Sequence, residues 1–452
     1  MSAQGAIGQN GGVTWSWAFL VVSLVGAWFT LNAFFPTRRW QLISLSFFAG
    51  WLTNELAWFH ILWQIVATVV FVWLGALDSW PGYVGLVITT ASWVGLAWAQ
   101  VVSLRGGAVL EAALREALGD DYRDEIAPGL AEHLAQRTSR REILLPFKFR
   151  DRRVERIRDI EYAPGAGKRH RLDVLRPRVG VERAPVLFQI HGGAWVIGDK
   201  SQQALPLMTH LAANGWVCVA ANYQLSPRVK FPAHLVDCKL ALRWIKEHVA
   251  EYGGDPDFIV VTGGSAGGHL AAMVALTAND PEYQPGFQDV DTSVSGAVPI
   301  YGVYDLTETF RYSGANPRGS RWMEQRVLGR TFDDDPDFFR RSSPVYRAHA
   351  DAPPCFVIHG AKDNLVPVDQ ARRLVAALRA VSRNPVAYAE IPGATHAFEI
   401  FHSARTGDLV NAVDRFLAWL YSAYQAHTGR EPDVNLEALD GSGAAPERAG
   451  AG

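Results

Sequence analysis

Cysteine is scarce, with three in 452 residues: Cys218, Cys238 and Cys355. The odd count excludes a disulfide-built scaffold, and the spacing matches no metal site. Each lies in an apolar strand or helix pattern, so buried free thiols are expected. Net charge is also lacking, at −2, and no global field favours nucleic acid. Residues 1–12 carry no charge, so no signal-peptide n-region is expected there. Charge then stays nearly absent for another ninety or so positions, and that absence organises the first part of the chain.

Val13 to Phe35 is continuously apolar and long enough to cross a bilayer. Pro36-Thr37-Arg38-Arg39 ends it. Trp40 to Thr53 is apolar but short, and reads as an interfacial or re-entrant helix. Leu56–Leu77 and Tyr83–Leu104 are two further span-length stretches. Asp78-Ser79-Trp80-Pro81-Gly82 turns between them and Arg105 stops the second. Eleven of the 16 tryptophans crowd into this region. Trp15, Trp17, Trp40, Trp58, Trp80 and Trp98 fall near the proposed ends, where an aromatic belt places them. Three uncharged stretches of this length are too apolar for a soluble helical core.

The expectation is an all-α transmembrane region over 1–105, with spans at about 13–35, 56–77 and 83–104. The helix at 40–53 would lie at the interface. With three spans, the Arg38-Arg39 loop and Arg105 share one face, which the positive-inside rule makes cytoplasmic. The protein is then an integral protein of the cell membrane with the part after residue 105 in the cytoplasm. A fourth span at Trp40–Thr53 would turn that part outward. Glu55 and His60 sit at a span start, within reach of water, and are read as interfacial and structural.

Residues 106–154 form an amphipathic, basic connector. Leu110, Leu114, Ala117 and Leu118 make one stripe. Arg137 to Arg158 is rich in Arg, with Leu144, Leu145, Phe147 and Phe149 between. Beside a membrane such a stretch suits anionic headgroups, although its acids (Glu142, Asp151, Glu155, Asp159) fit a solvated face equally well. From about 155 to 426, apolar strands alternate with helical patterns, which predicts an α/β domain with a mostly parallel sheet and helices on both faces. An insertion at about 306–353 interrupts it, and 427–452 reads as a disordered tail.

Within that domain Phe258-Ile259-Val260-Val261-Thr262 leads into Gly263-Gly264-Ser265-Ala266-Gly267-Gly268. This is G-x-S-x-G between a strand and a small-residue helix, the context of a nucleophile elbow. The serine takes a strained turn that lifts its hydroxyl off the sheet, and the flanking glycines avoid clashes. Three other stretches carry the partners. Ile190-His191-Gly192-Gly193-Ala194-Trp195 exposes backbone N–H groups after a strand. Asp363 follows the strand Phe356–Gly360, and His396 follows the strand ending at Ile391. The order Ser265, Asp363, His396 is that of an α/β-hydrolase triad.

Residues from about 155 to 425 resemble the hormone-sensitive-lipase-like and feruloyl-esterase-like branch of α/β-hydrolase esterases. His191-Gly192-Gly193 is similar to that group's HGG(G) motif. Asn222-Tyr223-Gln224-Leu225-Ser226-Pro227 with Phe231-Pro232-Ala233 is similar to its YRLAPE…FPA segment, and Tyr301-Gly302-Val303-Tyr304-Asp305 to its YGxYD segment. Two positions depart. Ala194 replaces a third glycine, and Gly264 stands where many members have an acid, which leaves the pH optimum open. The resemblance implies an α/β-hydrolase fold and a covering role for the segment before the sheet or for the insertion.

The expected chemistry is cleavage of a carboxylic, lipophilic ester through an acyl-enzyme. Ser265 attacks, His396 moves the proton and Asp363 orients His396. The N–H groups of Gly192, Gly193 and Ala266 form the oxyanion hole. His191, Trp195, Tyr223 and Tyr301 are the expected substrate-binding residues, with His191 shaping the oxyanion loop. His269 is read as packing, His359 as a strand residue beside Asp363 that is poorly placed to act as the base, and Asp305 as structural. The reaction needs no metal or cofactor. The expected partners are a small ester or lipid and membrane lipids, without nucleic acid. Two rival readings are an arylformamidase-like amide hydrolase, on the His191–Trp195 HGG-x-W pattern, and a non-catalytic membrane sensor or scaffold.

Overall fold

A computed structural model describes residues 3–37, 39, 41–132, 134, 140–307 and 321–429. Arg38, Trp40, Arg137, residues 308–320 of the expected insertion and 430–452 of the expected tail lie outside the described residues. One sheet holds β1 (Val154–Glu161), β2 (Arg171–Pro177), β3 (Ala184–Ile190), β4 (Val217–Ala221), β5 (Gly254–Gly264), β6 (Gly296–Ile300), β7 (Cys355–Gly360) and β8 (Val386–Ile391). Their spatial order is β1-β2-β4-β3-β5-β6-β7-β8. The β1–β2 and β2–β4 pairs are antiparallel and the others parallel. Strands β3, β4, β6 and β7 are buried at every position. Covering both faces removes the polar alternation from their sequences.

The principal helices are α1 (Ala3–Phe34), α2 (Ile43–Glu55), α3 (Ala57–Trp73), α4 (Trp80–Ser103), α5 (Gly106–Leu118), α6 (Leu205–Ala213), α7 (Ala233–His248), α8 (Ala266–Leu276), α9 (Asp369–Val381) and α10 (Ala404–Thr428). Successive strand residues serve opposite layers. Leu187, Val260 and Ile358 meet α5, α6 and α10 through Leu110, Leu207 and Phe416. Phe188, Val261 and Val357 share the other core with Leu242, Leu270 and Leu374 of α7, α8 and α9. This is the expected α/β class, with β5 at the centre of the sheet.

The N-terminal helices differ in detail from the sequence expectation. Helix α1 begins well before the apolar run, at Ala3. Helix α3 has 17 residues and ends at Trp73, where Gly75 takes φ 87° and starts a turn. Helices α2 and α3 meet at an angle of 93°. Helix α4 ends at Ser103, as Arg105 predicts, but α5 resumes at Gly106 along nearly the same line, so that Trp80–Leu118 forms an almost continuous stretch of 39 residues. Arg105 keeps a helical φ of −83°, and no proline follows to break the turn. Leu110 and Leu114 are consequently core residues of the sheet domain and not part of a cover over the site.

Polar groups line the seam between α1 and α4. Thr30 Oγ1 lies 2.6 Å from Ser92 Oγ, and Thr89 Oγ1 donates to Ser23 Oγ at 2.9 Å. Large apolar side chains such as Val21, Leu31, Val69, Val87 and Val94 face outward.

A second seam joins α2 to the sheet domain. Trp51 Nε1 donates to the Ala397 carbonyl at 2.8 Å and Asn54 Nδ2 to the Gly393 carbonyl at 2.7 Å. Lys362 Nζ donates to the Phe34 carbonyl at 3.0 Å. Glu55 was expected at the water interface, but its side chain is 1% exposed and pairs with Arg405, also 1% exposed, at 2.8 Å. The Ser403 hydroxyl donates to its other oxygen at 2.9 Å. Docking of α2 against the start of α10 shuts water out of that corner.

A buried pair is costly to break on one side, because the remaining charge is left without a partner. Arg405→Met is expected to destabilise the folded chain by about 3–5 kcal/mol. Adding Glu55→Gln should restore part of that loss. Denaturant unfolding in detergent micelles checks both, and unchanged stability in the single variant would show the pair to be solvated.

Candidate active site

At the C-terminal edge of β5 the chain turns sharply. Ser265 adopts φ 60°, ψ −122°, a region that side-chain-bearing residues rarely occupy. A Cβ on Gly263 would stand 2.6 Å from the Ile190 carbonyl oxygen. One on Gly267 would collide with the same oxygen. The glycines therefore let β5, α8 and the end of β3 come together. Helix α8 starts at Ala266, so its free N–H groups face the Ser265 side.

Parallel pairing sets Ile190 of β3 beside Gly263, and Gly264 beside Ile300 of β6. The loops after these strands consequently meet around Ser265. Gly193 (φ 115°), Ala194 (φ 51°) and Trp195 (φ 60°) take three left-handed conformations in a row. The Gly192 N–H donates to Gln203 Oε1 at 2.6 Å. Of the three expected oxyanion donors, it is therefore already engaged. The Gly193 and Ala266 N–H groups have no protein acceptor among the described residues.

Three of the residues expected to bind substrate sit beneath this loop. His191 is buried and stacks on Tyr223 with centroids 4.3 Å apart. The Tyr223 hydroxyl donates to the His191 carbonyl at 2.9 Å. Trp195 is buried with its ring edge-on to His269 at 5.1 Å. His269 in turn lies 2.8 Å from the Ser342 carbonyl through Nε2. These residues brace the loop from behind. Burial lowers His191 and His269 to about 4 and His234 to about 3, so all three are neutral near pH 7.

The acid and the histidine come from the adjacent strands β7 and β8, which are paired from Cys355/Val386 to Gly360/Ile391. His396 Nδ1 lies 2.6 Å from Asp363 Oδ2. The Leu365 and Val366 N–H groups donate to Asp363 Oδ1 at 2.9 and 2.8 Å. His359, read from sequence only as a strand residue, lies 3.3 Å from the same Oδ2 and 3.0 Å from the Val366 carbonyl. Burial by itself would raise the Asp363 carboxyl, but His396 and His359 together hold it well below the ordinary range. Asp305 is buried and accepts the Thr307 N–H and hydroxyl at 3.0 and 2.6 Å, a structural role.

Tyr301 links the two halves of the site. Its ring is 4.6 Å from that of His396. A Cβ on Gly264 would stand 2.6 Å from the Tyr301 hydroxyl, so the missing acid before Ser265 leaves the space this ring occupies. The hydroxyl donates to Glu399, a buried carboxyl that sequence reasoning passed over. Phe47 of α2 was missed as well. Its ring lies 6.2 Å from His396 and stacks on Trp51 at 5.4 Å. Helix α2 thus lies against the histidine loop, in a covering position assigned from sequence to the connector or the insertion. Among the described residues no group of three or more His, Cys, Asp or Glu side chains converges as a metal site.

A mostly parallel eight-stranded sheet with a strained serine turn at its central strand defines the α/β-hydrolase fold. The BD-FAE family model matches residues 172–378. LipM of Mycobacterium tuberculosis, a probable carboxylic ester hydrolase, is 42% identical over 420 residues, covering 91% of this chain and 95% of LipM. That match takes in most of the N-terminal helices as well as the sheet. Esterase LipQ of the same organism is 44% identical over 334 residues, 72% of this chain and 77% of LipQ. Among solved structures, esterase B from Lactobacillus rhamnosis shares the fold with a TM-score of 0.51 at 19% identity, over 62% of this chain and 91% of that one. The chain belongs to this family of α/β-hydrolase-fold carboxylic ester hydrolases.

The neutral histidines make stability depend on pH. Their folded pKa values lie below the unfolded value near 6.5. Their contribution is therefore complete above pH 6.5 and lost as pH falls towards about 4. His210 acts in the opposite sense. Burial would lower it, but Asp414 at 2.7 Å raises it, and its contribution is lost as pH rises through its folded value. The expected outcome is a Tm that falls between pH 6.5 and 4, with a shallower fall in His269→Gln. Equal slopes in the two proteins would show that His269 titrates normally.

Proposed function

We propose that the chain is a membrane-anchored serine esterase in which Ser265, His396 and Asp363 act as the catalytic triad on lipophilic esters. The observation that carries this is the His396–Asp363 contact of 2.6 Å on the loops flanking the strained Ser265 turn. Asp363 holds the proton on Nδ1, which leaves Nε2 free to take the Ser265 proton as the hydroxyl attacks the ester carbonyl. Tetrahedral charge falls to the N–H groups of Gly193 and Ala266, reinforced by the start of α8. His396 then protonates the leaving alcohol, and water releases the acid by the same route. Neutral His191 and His269 support the loop without placing a competing positive charge under it.

Anchoring is supported by the distribution of polarity in the N-terminal helices, with hydroxyls buried and large apolar side chains outside. Gly12–Phe34 and the start of Trp80–Leu118 are long and apolar enough to cross a bilayer. In this reading α1, α3 and α4 cross. Helix α2 lies at the interface on the side of the sheet domain, and the Asp78 turn lies on the far side. Arg39, Arg105 and the basic connector share the sheet-domain side, which favours the cytoplasm. Lipophilic substrate would then reach Ser265 past Phe47 and α2.

Ser265→Ala is expected to lose at least about 10⁴-fold in kcat on p-nitrophenyl esters. Gly193→Pro, which removes one oxyanion donor and cannot take the φ of 115°, should lose at least about 10²–10³-fold. Phe47→Ala should shift the acyl-length optimum while leaving acetate turnover within about threefold. Wild-type hydrolysis that persists in Ser265→Ala would sink the serine mechanism. Turnover of formyl-amides without ester turnover would favour the amidase reading.

A further inference from the structure

A cavity of about 550 Å³ opens beside the catalytic histidine loop, between the connector, α6 and His402. Five lining side chains are cationic, namely Arg141, Lys148, Arg150, Arg152 and Arg153, against two acids, Glu142 and Asp151. Asp151 is engaged by Arg153 at 2.9 Å. Among the described residues, no acid lies within ion-pair distance of Arg141, Lys148, Arg150 or Arg152. These side chains are solvent-exposed, and like charges gathered around one hollow give it a positive potential that attracts an anion.

The rim of the cavity indicates which anion. Leu144, Leu145 and Phe147 are exposed on the same short segment, Phe147 by 64%. The Phe147 ring packs on Phe401 at 5.5 Å, and Phe401 packs on Trp51 of α2 at 5.3 Å. Leu42, just before α2, and Leu45 and Phe48 within it are exposed and continue the apolar surface. A cationic hollow therefore adjoins a continuous apolar strip. This matches a phosphate joined to acyl chains better than a free, fully hydrated ion.

We propose that this cavity binds the phosphate headgroup of an anionic lipid, with its acyl chains lying along Leu144, Phe147 and the outer face of α2. The inference rests on the membrane-anchored reading above. The site also reaches the catalytic loop. The His402 N–H donates to the Pro146 carbonyl at 2.9 Å, and Phe149 packs on the His402 ring at 5.5 Å. A lipid held there would fasten the connector against the loop that carries His396.

The test uses the full chain in neutral detergent micelles and measures retention of fluorescent phosphatidylglycerol and phosphatidylcholine after gel filtration. Wild type is expected to retain phosphatidylglycerol saturably and in preference to phosphatidylcholine. Arg150→Ala with Arg152→Ala should weaken retention roughly thirtyfold, at about fivefold per lost charge. Arg150→Lys with Arg152→Lys should retain it, because the charge is kept. Raising salt from about 0.05 to 0.5 M should weaken wild-type binding, a readout that needs no variant and holds even if the alanine protein fails to fold. Equal retention of the two lipids, or no effect of salt and variants, would overturn the proposal. Displacement by inorganic phosphate at matched concentration would overturn the lipid source. Release of the chain from membranes by alkaline wash without detergent would defeat the anchored reading, an outcome independent of the lipid ratio.

Discussion

The Ile190 carbonyl leaves no space for side chains at Gly263 and Gly267. That contact among the ends of β3, β5 and α8 is the constraint on which the rest of the site depends. It permits Ser265 its φ of 60° and brings the Gly192-Gly193 loop beside the turn. A Cβ on Gly192 would stand 2.6 Å from the Gly264 carbonyl. Backbone surfaces in such contact cannot move independently. Strain at one residue is stored because the strands and helix around it are pinned by their own cores.

The electrostatics follow the same economy. Asp363 is buried and would be driven neutral by desolvation alone. Two backbone N–H groups and two histidines hold it charged. Below the oxyanion loop the opposite arrangement holds, with His191, His234 and His269 kept neutral by burial. The low dielectric around the turn therefore surrounds the fixed negative charge of Asp363, while these three histidines place no fixed positive charge under the loop. An oxyanion formed at Gly193 and Ala266 would be stabilised by oriented dipoles whose alignment is set before substrate arrives.

Much of this was legible in the chain, and for physical reasons. Strands β3, β4, β6 and β7 are buried on both faces and read as unbroken apolar runs. The elbow is legible because only glycine fits where three backbones touch. The hidden parts depend on partners distant in sequence. Nothing in His191-Gly192-Gly193 shows that Gln203 already holds the Gly192 N–H. An acid at position 55 and an arginine 350 residues later give no local sign of pairing. Arg105 marks the end of α4 because charge usually ends a span, yet α5 starts at once in nearly the same direction and lays Leu110 and Leu114 into the core. An apolar segment such as Ile43–Glu55 has the same composition whether lipid or protein covers it, so its position on the histidine loop was not readable.

That helix bears most directly on how the two halves of the chain work together. Trp51 and Asn54 donate to carbonyls of the segment that holds His396, while the Phe47 ring stands edge-on to the imidazole at 6.2 Å. Glu55 anchors the end of α2 to Arg405, at the start of the next helix. With the partner carbonyls at Gly393 and Ala397 flanking His396, a shift of α2 of even an ångström would have to move the histidine or break these bonds. A bilayer that fixes α1, α3 and α4 would thereby fix one wall of the catalytic site. In the proposed membrane-anchored reading the N-terminal helices do more than tether the enzyme. They would supply the apolar surface over which a lipophilic ester approaches Ser265, so that tether and wall would be a single piece of structure.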